Sequence, residues 1–412
     1  MLIEINILKF GPIHQKLRIC SPFMRSFRIP SDRKSDNMDS DPKYFRNSRL
    51  VCLVGDNGGG KTIVLSALKY LFTLMTEGTA TASRLLPAST MVSENEKSMA
   101  ISLVFLAGYV KYNYLIFVKG DVIVEERLFY IPHVRKTLLY QRKIDENGVT
   151  EITWGDSLRM TPNEKSNLRA MLSKDKTLLY SYSNLTFHKP ALDVAWMYMS
   201  RQFFNPSLIS LPVITAKDFV ESHAELQKVL EEMAEKGIVG TEFAVDFLES
   251  MKHEAIVCSS LCNSDDVQFR QHLGRYMRML SSGEAEFLLC LLLLVRANNN
   301  HGVCVIDDFA DKMDVKKAMA LLDYFLSKNS SSQFVFSTHN TTLLDYESLK
   351  REQVVFIYRE EDGSISADQK LAKSLHKYIS LANAYDRGLR PSPENKPKNI
   401  TDKDDTHSLN KQ

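Results

Sequence analysis

The hydrophobic pattern changes period several times along the chain. Residues 2–8, Leu-Ile-Glu-Ile-Asn-Ile-Leu, alternate apolar and polar, which predicts a half-buried strand. Residues 1–20 read as two strands around Phe10-Gly11-Pro12-Ile13. Leu50 to Val54 are all apolar, the pattern of a strand buried on both faces, and residues 63–75 carry apolar positions at helical spacing. Between 99 and 143, four apolar runs separated by turn signals such as Lys119-Gly120-Asp121 predict a β-meander. Residues 160–255 are mostly helical in pattern, broken near Lys189-Pro190 and Asn205-Pro206. The last third alternates: a helix over 285–295, a strand over 302–308, a helix over 316–327 and a strand over 333–340, as a βαβ unit would give. Residues 21–49 and 77–97 are polar loops on this reading. There is no heptad run long enough for an extended coiled coil and no internal repeat.

The segment between the all-apolar strand and the first helix carries the chemistry. Gly55-Asp56-Asn57-Gly58-Gly59-Gly60-Lys61-Thr62 fits G-x-x-x-x-G-K-[ST] at every position. Backbone N–H groups of a glycine-rich turn can close on phosphate oxygens because no side chain intervenes. The helix N-terminus adds partial positive charge at the same point. Lys61 would reach the outer phosphates of a nucleotide, and the Thr62 hydroxyl would hold Mg²⁺. Far along the chain, Gly302-Val-Cys-Val-Ile-Asp307-Asp308 reads as a buried strand ending in two acids. Asp307 stands where a magnesium–water ligand belongs, and Asp308 where a general base for an attacking water belongs. Leu280-Ser281-Ser282-Gly283-Glu284 opens a helix, either as an anion site or as a plain N-cap. His339 ends the strand that follows the acids by one helix.

Composition narrows the setting. Lys and Arg number 52 against 50 Asp and Glu, a net charge of +2, so there is no general nucleic-acid signal. Seven basic residues do gather between Arg25 and Arg49. That stretch reads either as a solvated insertion or as a contact with nucleotide, nucleic acid or a partner. The six cysteines show no zinc spacing and read as reduced thiols. Met1 leads straight into a strand without a signal peptide, and the apolar run 287–295 is too short to span a bilayer. The expectation is a cytoplasmic protein without membrane attachment.

Asp307 lies 245 positions beyond Thr62, much farther than in a typical AAA+ or small GTPase core. With Leu-Ser-Ser-Gly-Glu just before the acidic strand, the chain resembles the ABC-type ATPase heads of the SMC and RecF group. The resemblance implies an α/β P-loop NTPase of ABC/SMC-head type, split by a β-meander plus helical insertion, with ATP and Mg²⁺ as cofactors. The parts would be residues 1–76 (the first part of the head), 77–160 (the meander lobe), 161–265 (the helical insertion), 266–389 (the second part of the head) and 390–412 (a tail expected to be disordered). It also implies a homodimer or higher even oligomer. ATP held by residues 55–62 and Asp307 of one subunit would be closed over by Ser281, Ser282 and Gly283 of another. Asp308 would polarise water and His339 would contact the γ-phosphate.

A closer resemblance covers most of the chain. The opening Leu2-Ile-Glu-Ile with Phe10-Gly-Pro-Ile, the stretch Thr338-His-Asn-Thr-Thr-Leu-Leu-Asp345 and the closing Ala384-Tyr-Asp-Arg-Gly388 are similar to AAA15-type, abortive-infection-associated ATP-binding proteins, relatives of the ATPase half of OLD proteins. That family serves in bacterial anti-phage systems beside a nuclease or toxin encoded by a neighbouring gene. The resemblance implies a sensor or regulatory scaffold for such an effector, with DNA or a phage component as a further partner. Two alternatives stand beside it: a RecF-like DNA-maintenance ATPase, and a nucleotide-locked scaffold with little turnover. The family's second acid is usually Glu; Asp308 is one methylene shorter, which implies slow hydrolysis. Met313-Asp314 stands where members often carry Leu-His, and no Q-loop glutamine can be placed. Only 73 residues follow His339, so the C-terminal nuclease domain of OLD proteins is not expected.

Overall fold

Two β-sheets share one hydrophobic core, and the helix that follows the glycine-rich turn belongs to it. The computed structural model describes the chain except residues 22–47, 88–97, 108–109, 133–134, 146–147, 202, 205–214, 261–264, 329, 377 and 389–412. Most of the basic stretch, the break at Asn205-Pro206 and all of the tail therefore lie outside the described residues.

The strands are β1 (Leu2–Leu8), β2 (Leu17–Cys20), β3 (Leu50–Val54), β4 (Ser98–Ala107), β5 (Val110–Lys119), β6 (Val122–Ile131), β7 (Thr137–Ile144), β8 (Thr150–Trp154), β9 (Phe203–Phe204), β10 (Val303–Ile306), β11 (Gln333–Ser337), β12 (Val354–Arg359) and β13 (Ile365–Asp368). The first sheet is antiparallel, in the order β2-β1-β4-β5-β6-β7-β8. The second runs β13-β12-β3-β11-β10-β9, parallel except for its β13 edge. The meander predicted from four runs thus gains a fifth strand, β8, and is completed by β1 and β2.

The helices are α1 (Lys61–Glu77), α2 (Thr79–Ala82), α3 (Pro162–Ala170), α4 (Leu178–Ser183), α5 (Pro190–Arg201), α6 (Ala216–Glu235), α7 (Thr241–Ser260), α8 (Asp265–Met279), α9 (Ser282–Asn299), α10 (Val315–Ser327), α11 (Leu371–Ser374) and α12 (Leu381–Asp386). The break at Lys189-Pro190 is the start of α5, where proline lacks only an N–H that would have no intrahelical partner. Residues 77–97 are not all loop: α2 and a 3₁₀ turn, Ser83–Leu85, occupy part of the stretch. Thr79 and Ser83 there have hydrogen-bond partners, which composition alone does not reveal. Thr79 is fully buried and its hydroxyl donates to the Asp121 carbonyl at 2.8 Å.

Strand periodicity sorts the parallel sheet between two cores. Leu50, Cys52 and Val54 face one core with Phe334, Phe336 and Phe356, together with helices α6 to α10. Val51 and Leu53 face the other with Val335, Val355 and Ile357, together with α1, the antiparallel sheet and α3 to α5. The helical stretch after the meander is therefore divided, α3 to α5 on one side and α6 to α8 on the other. Gln333, fully buried at the start of β11, joins the sheets. Its Oε1 accepts the Leu2 N–H at 2.7 Å and its Nε2 donates to the Leu2 carbonyl at 2.8 Å.

Arg49, counted in the sequence with the basic stretch, is buried next to β3. Its guanidinium donates to the carbonyls of Phe325 (2.8 Å), Lys328 (2.6 Å) and Ser332 (3.1 Å) and to Asn298 Oδ1 (2.9 Å), and lies 4.5 Å over the Phe325 ring. These are carbonyls at and beyond the end of α10, which helix geometry leaves without intrahelical donors. Burial lowers the Arg49 pKa to about 10. Arg49→Ala is predicted to destabilise the fold by about 3 kcal/mol, because several buried acceptors lose their donor together. Arg49→Lys should recover little of this, since an ammonium cannot reproduce the planar fork. Urea-unfolding midpoints check both; an unchanged midpoint for Arg49→Ala would show that these carbonyls find other donors.

Candidate nucleotide site

The glycine-rich turn leaves β3 at the carboxyl end of the parallel strands, the edge at which open α/β sheets bind ligands. Two of its glycines are demanded by neighbouring strands. A Cβ on Gly55 would lie 1.9 Å from the Ile357 carbonyl oxygen of β12. Gly60 has φ +108°, and its Cβ would lie 2.3 Å from Ile365 Cδ1. Gly58, by contrast, has φ +77° and open space around it. Asp56 and Asn57 are exposed, Gly59 and Gly60 buried. Lys61 opens α1 with its side chain largely buried. Its ammonium donates to the carbonyls of Gly55 (2.8 Å) and Asp56 (3.1 Å). Burial lowers its pKa, while Asp308, Asp307 and Asp56 oppose that shift. Thr62 is exposed in the first turn.

Asp307 and Asp308 follow β10, the strand on the far side of β11 from β3. Ser337, which ends β11, serves both: its hydroxyl donates to Asp307 Oδ1 and accepts the Asp308 N–H at 2.8 Å. The Phe309 N–H donates to the Ser337 carbonyl at 2.8 Å, so the pairing of the two strands continues beyond their ends. Asp308 has φ +53°, a left-handed conformation that aspartate tolerates better than most residues. His339 Nε2 lies 3.3 Å from Asp308 Oδ1, an oxygen without a full hydrogen bond among the described residues. Burial raises the Asp308 pKa and Asp307 raises it further, against the opposing pull of His339 and Lys61.

A cavity of about 200 Å³ opens between Gly55, Asp56 and Asn57 on one side and residues 338–341 on the other, with Tyr385 on its wall. The Tyr385 hydroxyl donates to Asp56 Oδ1 at 3.1 Å. Asp345 caps the helix that carries it, accepting the Leu381 N–H at 2.6 Å. Sequence reasoning noted Tyr385 only as part of a family stretch and did not single out Ser337. No local pattern marks either residue, because their partners lie 329 and 30 positions away.

The structure brings residues 55–62, Asp307, Asp308 and His339 to one edge of one sheet. Ser281, Ser282 and Gly283 belong to a different feature, the N-terminus of α9. Ser281 is the N-cap there, in a capping box with Glu284, and Ser282 is exposed. None of the three lines the cavity. For Mg²⁺, the Thr62 hydroxyl and the Asp307 carboxylate supply hard oxygen donors. No cluster of three or more His, Cys, Asp or Glu forms a metal cage among the described residues. Magnesium is commonly held by one or two carboxylates plus substrate phosphates, so this donor set fits an ion that arrives with a nucleotide.

Residues 41–366 match the family described as RecF/RecN/SMC N terminal domain. The chain belongs to that family. RecF/RecN/SMC domains are nucleotide-binding ATPases with an α/β P-loop head of the ABC/SMC type. Among solved structures, an SMC head domain from Thermotoga maritima is 13% identical, covering 89% of this chain and 98% of that one, with a TM-score of 0.36. An SmcHead bound to the C-winged helix domain of ScpA is 12% identical, covering 89% and 96%, with a TM-score of 0.38. Superpositions this loose add nothing to the family match. No curated protein matches the chain. No described helix is long and apolar enough to cross a membrane.

The RecF/RecN/SMC glycine loop makes a graded prediction. Gly60→Ala should cost about 2 kcal/mol or more and abolish nucleotide binding, because it combines a clash with a disfavoured φ. Gly58→Ala should cost only backbone strain, about 1 kcal/mol. Thermal unfolding with and without nucleotide distinguishes them; equal costs would mean that the packing of β12 and β13 does not set the glycine pattern.

Proposed function

We propose that this RecF/RecN/SMC domain is an ABC-type ATPase that binds Mg-ATP at residues 55–62 and Asp307, dimerises over the nucleotide and hydrolyses it. The convergence of Lys61, Asp307, Asp308 and His339 at the ends of three adjacent parallel strands carries the reading. Lys61 supplies positive charge where negative charge builds on the outer phosphates. Asp308 accepts a proton from the attacking water, and His339, beside it, contacts the γ-phosphate. The exposed N-terminus of α9 is the part left over: Ser281, Ser282 and Gly283 close on the nucleotide of a second copy. In the cell, the ATPase is the sensor and regulatory scaffold of a cytoplasmic anti-phage defence complex and controls a separate effector nuclease or toxin. The stretches that resemble AAA15-type proteins support that setting, including the closing run whose Tyr385 reaches the glycine loop.

A second reading, a nucleotide-locked scaffold with little turnover, is favoured by one residue. Asp308 is shorter than glutamate and its backbone is left-handed, so water could be held too far from its carboxylate.

Phosphate release with Mg-ATP, recorded with particle mass on the same samples, separates the two readings. An ATPase should lose turnover in both Lys61→Ala and Asp308→Asn. A scaffold should show no turnover but a nucleotide-dependent mass that Lys61→Ala loses. Ser282→Arg should leave monomeric nucleotide binding intact and block assembly, because it places bulk and charge at the second copy's phosphate. Assembly and turnover untouched by Ser282→Arg would sink the composite site.

A further inference from the structure

Glu286 lies just beyond the first turn of α9 and is buried, with 7% of its surface exposed. Its Oε2 accepts the Lys312 N–H at 2.8 Å, and the backbone of Asp311 and Met313 on either side favours the charge on the same carboxylate. The carboxylate therefore sits against the backbone of three successive residues and takes a hydrogen bond from the middle one. One turn earlier on the same helix, Gly283 faces the same loop: a Cβ there would lie 2.7 Å from the Lys312 carbonyl oxygen. Only glycine lets the start of α9 come this close.

The loop so gripped runs directly on from Asp308. The Asp311 N–H closes back onto the Asp308 carbonyl at 3.2 Å, and Asp308 and Ala310 both have positive φ, +53° and +67°. Backbone held in this region persists only where its surroundings over-determine it. On one side Ser337 and Thr338 hold Phe309, the latter through its hydroxyl to the Phe309 carbonyl at 2.8 Å. On the other side the grip comes from Glu286. An apolar residue at 286 would fill the space and leave the part-buried Lys312 N–H without its acceptor. An acceptor oxygen at this reach is what holds the loop, and the Glu286 carboxylate supplies it.

We propose that Glu286 is a positioning residue: its carboxylate fixes the loop 311–313, sets the place of Asp308, and so ties the Ser281-Ser282-Gly283 turn mechanically to the acid at the nucleotide. The catalytic half of this rests on the ATPase reading above; the mechanical half does not.

The test uses the full chain with Glu286→Ala and Glu286→Gln, the latter retaining an acceptor oxygen. Three quantities are measured: hydrogen exchange of the amides in 307–313, affinity for a fluorescent ATP analogue, and phosphate release. Glu286→Ala should exchange roughly tenfold faster in 307–313 and lose roughly tenfold or more in kcat, with analogue affinity unchanged within about twofold. Glu286→Gln should stay near wild type in all three. Should the alanine variant fail to fold, Glu286→Asp, one methylene short of the loop, replaces it with the same expectations. Unchanged exchange overturns the proposal. So does unchanged kcat in a protein whose turnover depends on Lys61, or a parallel loss of affinity and kcat. A wild type that releases no phosphate above Lys61→Ala defeats the ATPase reading instead, and exchange alone then decides whether Glu286 holds the loop.

Discussion

Burial of β3 on both faces is the constraint from which the site follows. Five consecutive apolar residues are covered by different cores above and below, and β11 and β12 flank them on either side. A chain leaving such a strand has room only for a tight turn. The approach of Ile357 to within 1.9 Å of a Cβ built on Gly55 shows how little space there is. The turn that fits also brings the start of α1 to the sheet's carboxyl edge, where helix polarity favours an anion. Packing and ligand chemistry therefore require the same glycines, and neither alone accounts for their spelling.

The strand β11 serves both ends of the molecule. At its start, the Gln333 carboxamide imitates a backbone partner for Leu2 and fastens the antiparallel sheet to the parallel one. At its end, Ser337 orients Asp307 and Asp308, and His339 follows two residues later. The single strand between the glycine turn and the acidic pair thus sets their separation. Its five buried residues transmit that spacing as rigidly as a close-packed interior allows.

Much of this was readable in the sequence where a motif couples residue type to backbone shape. Gly55, Gly60, Lys61 and Thr62 lie in one short segment, and the acids and His339 sit at strand ends that periodicity alone can place. The meander was legible from its alternation, although the shorter β8 was not counted among its runs. What the sequence hid were partners separated by long stretches of chain. Arg49 looked like one cation of a solvated loop and is a buried cap. Tyr385 looked like a family ornament and touches the glycine loop. Glu286 stands unmarked inside the helix predicted over 285–295. Each takes its meaning from a tertiary contact, and period and propensity carry no information about those.

The order of strands in the parallel sheet has a consequence for how the protein is made. On its two sides β3 pairs with β11 and β12, neither of which exists before residue 333 has been synthesised. During translation an all-apolar segment near the start of the chain must wait through some 280 residues without either neighbour. Contacts of such long range make folding slow and leave adhesive surface exposed meanwhile. The antiparallel meander closes locally and can assemble early, whereas the walls of the glycine turn wait for β11 and β12. A truncated or stalled chain therefore carries the glycine motif intact yet lacks the walls that give it shape.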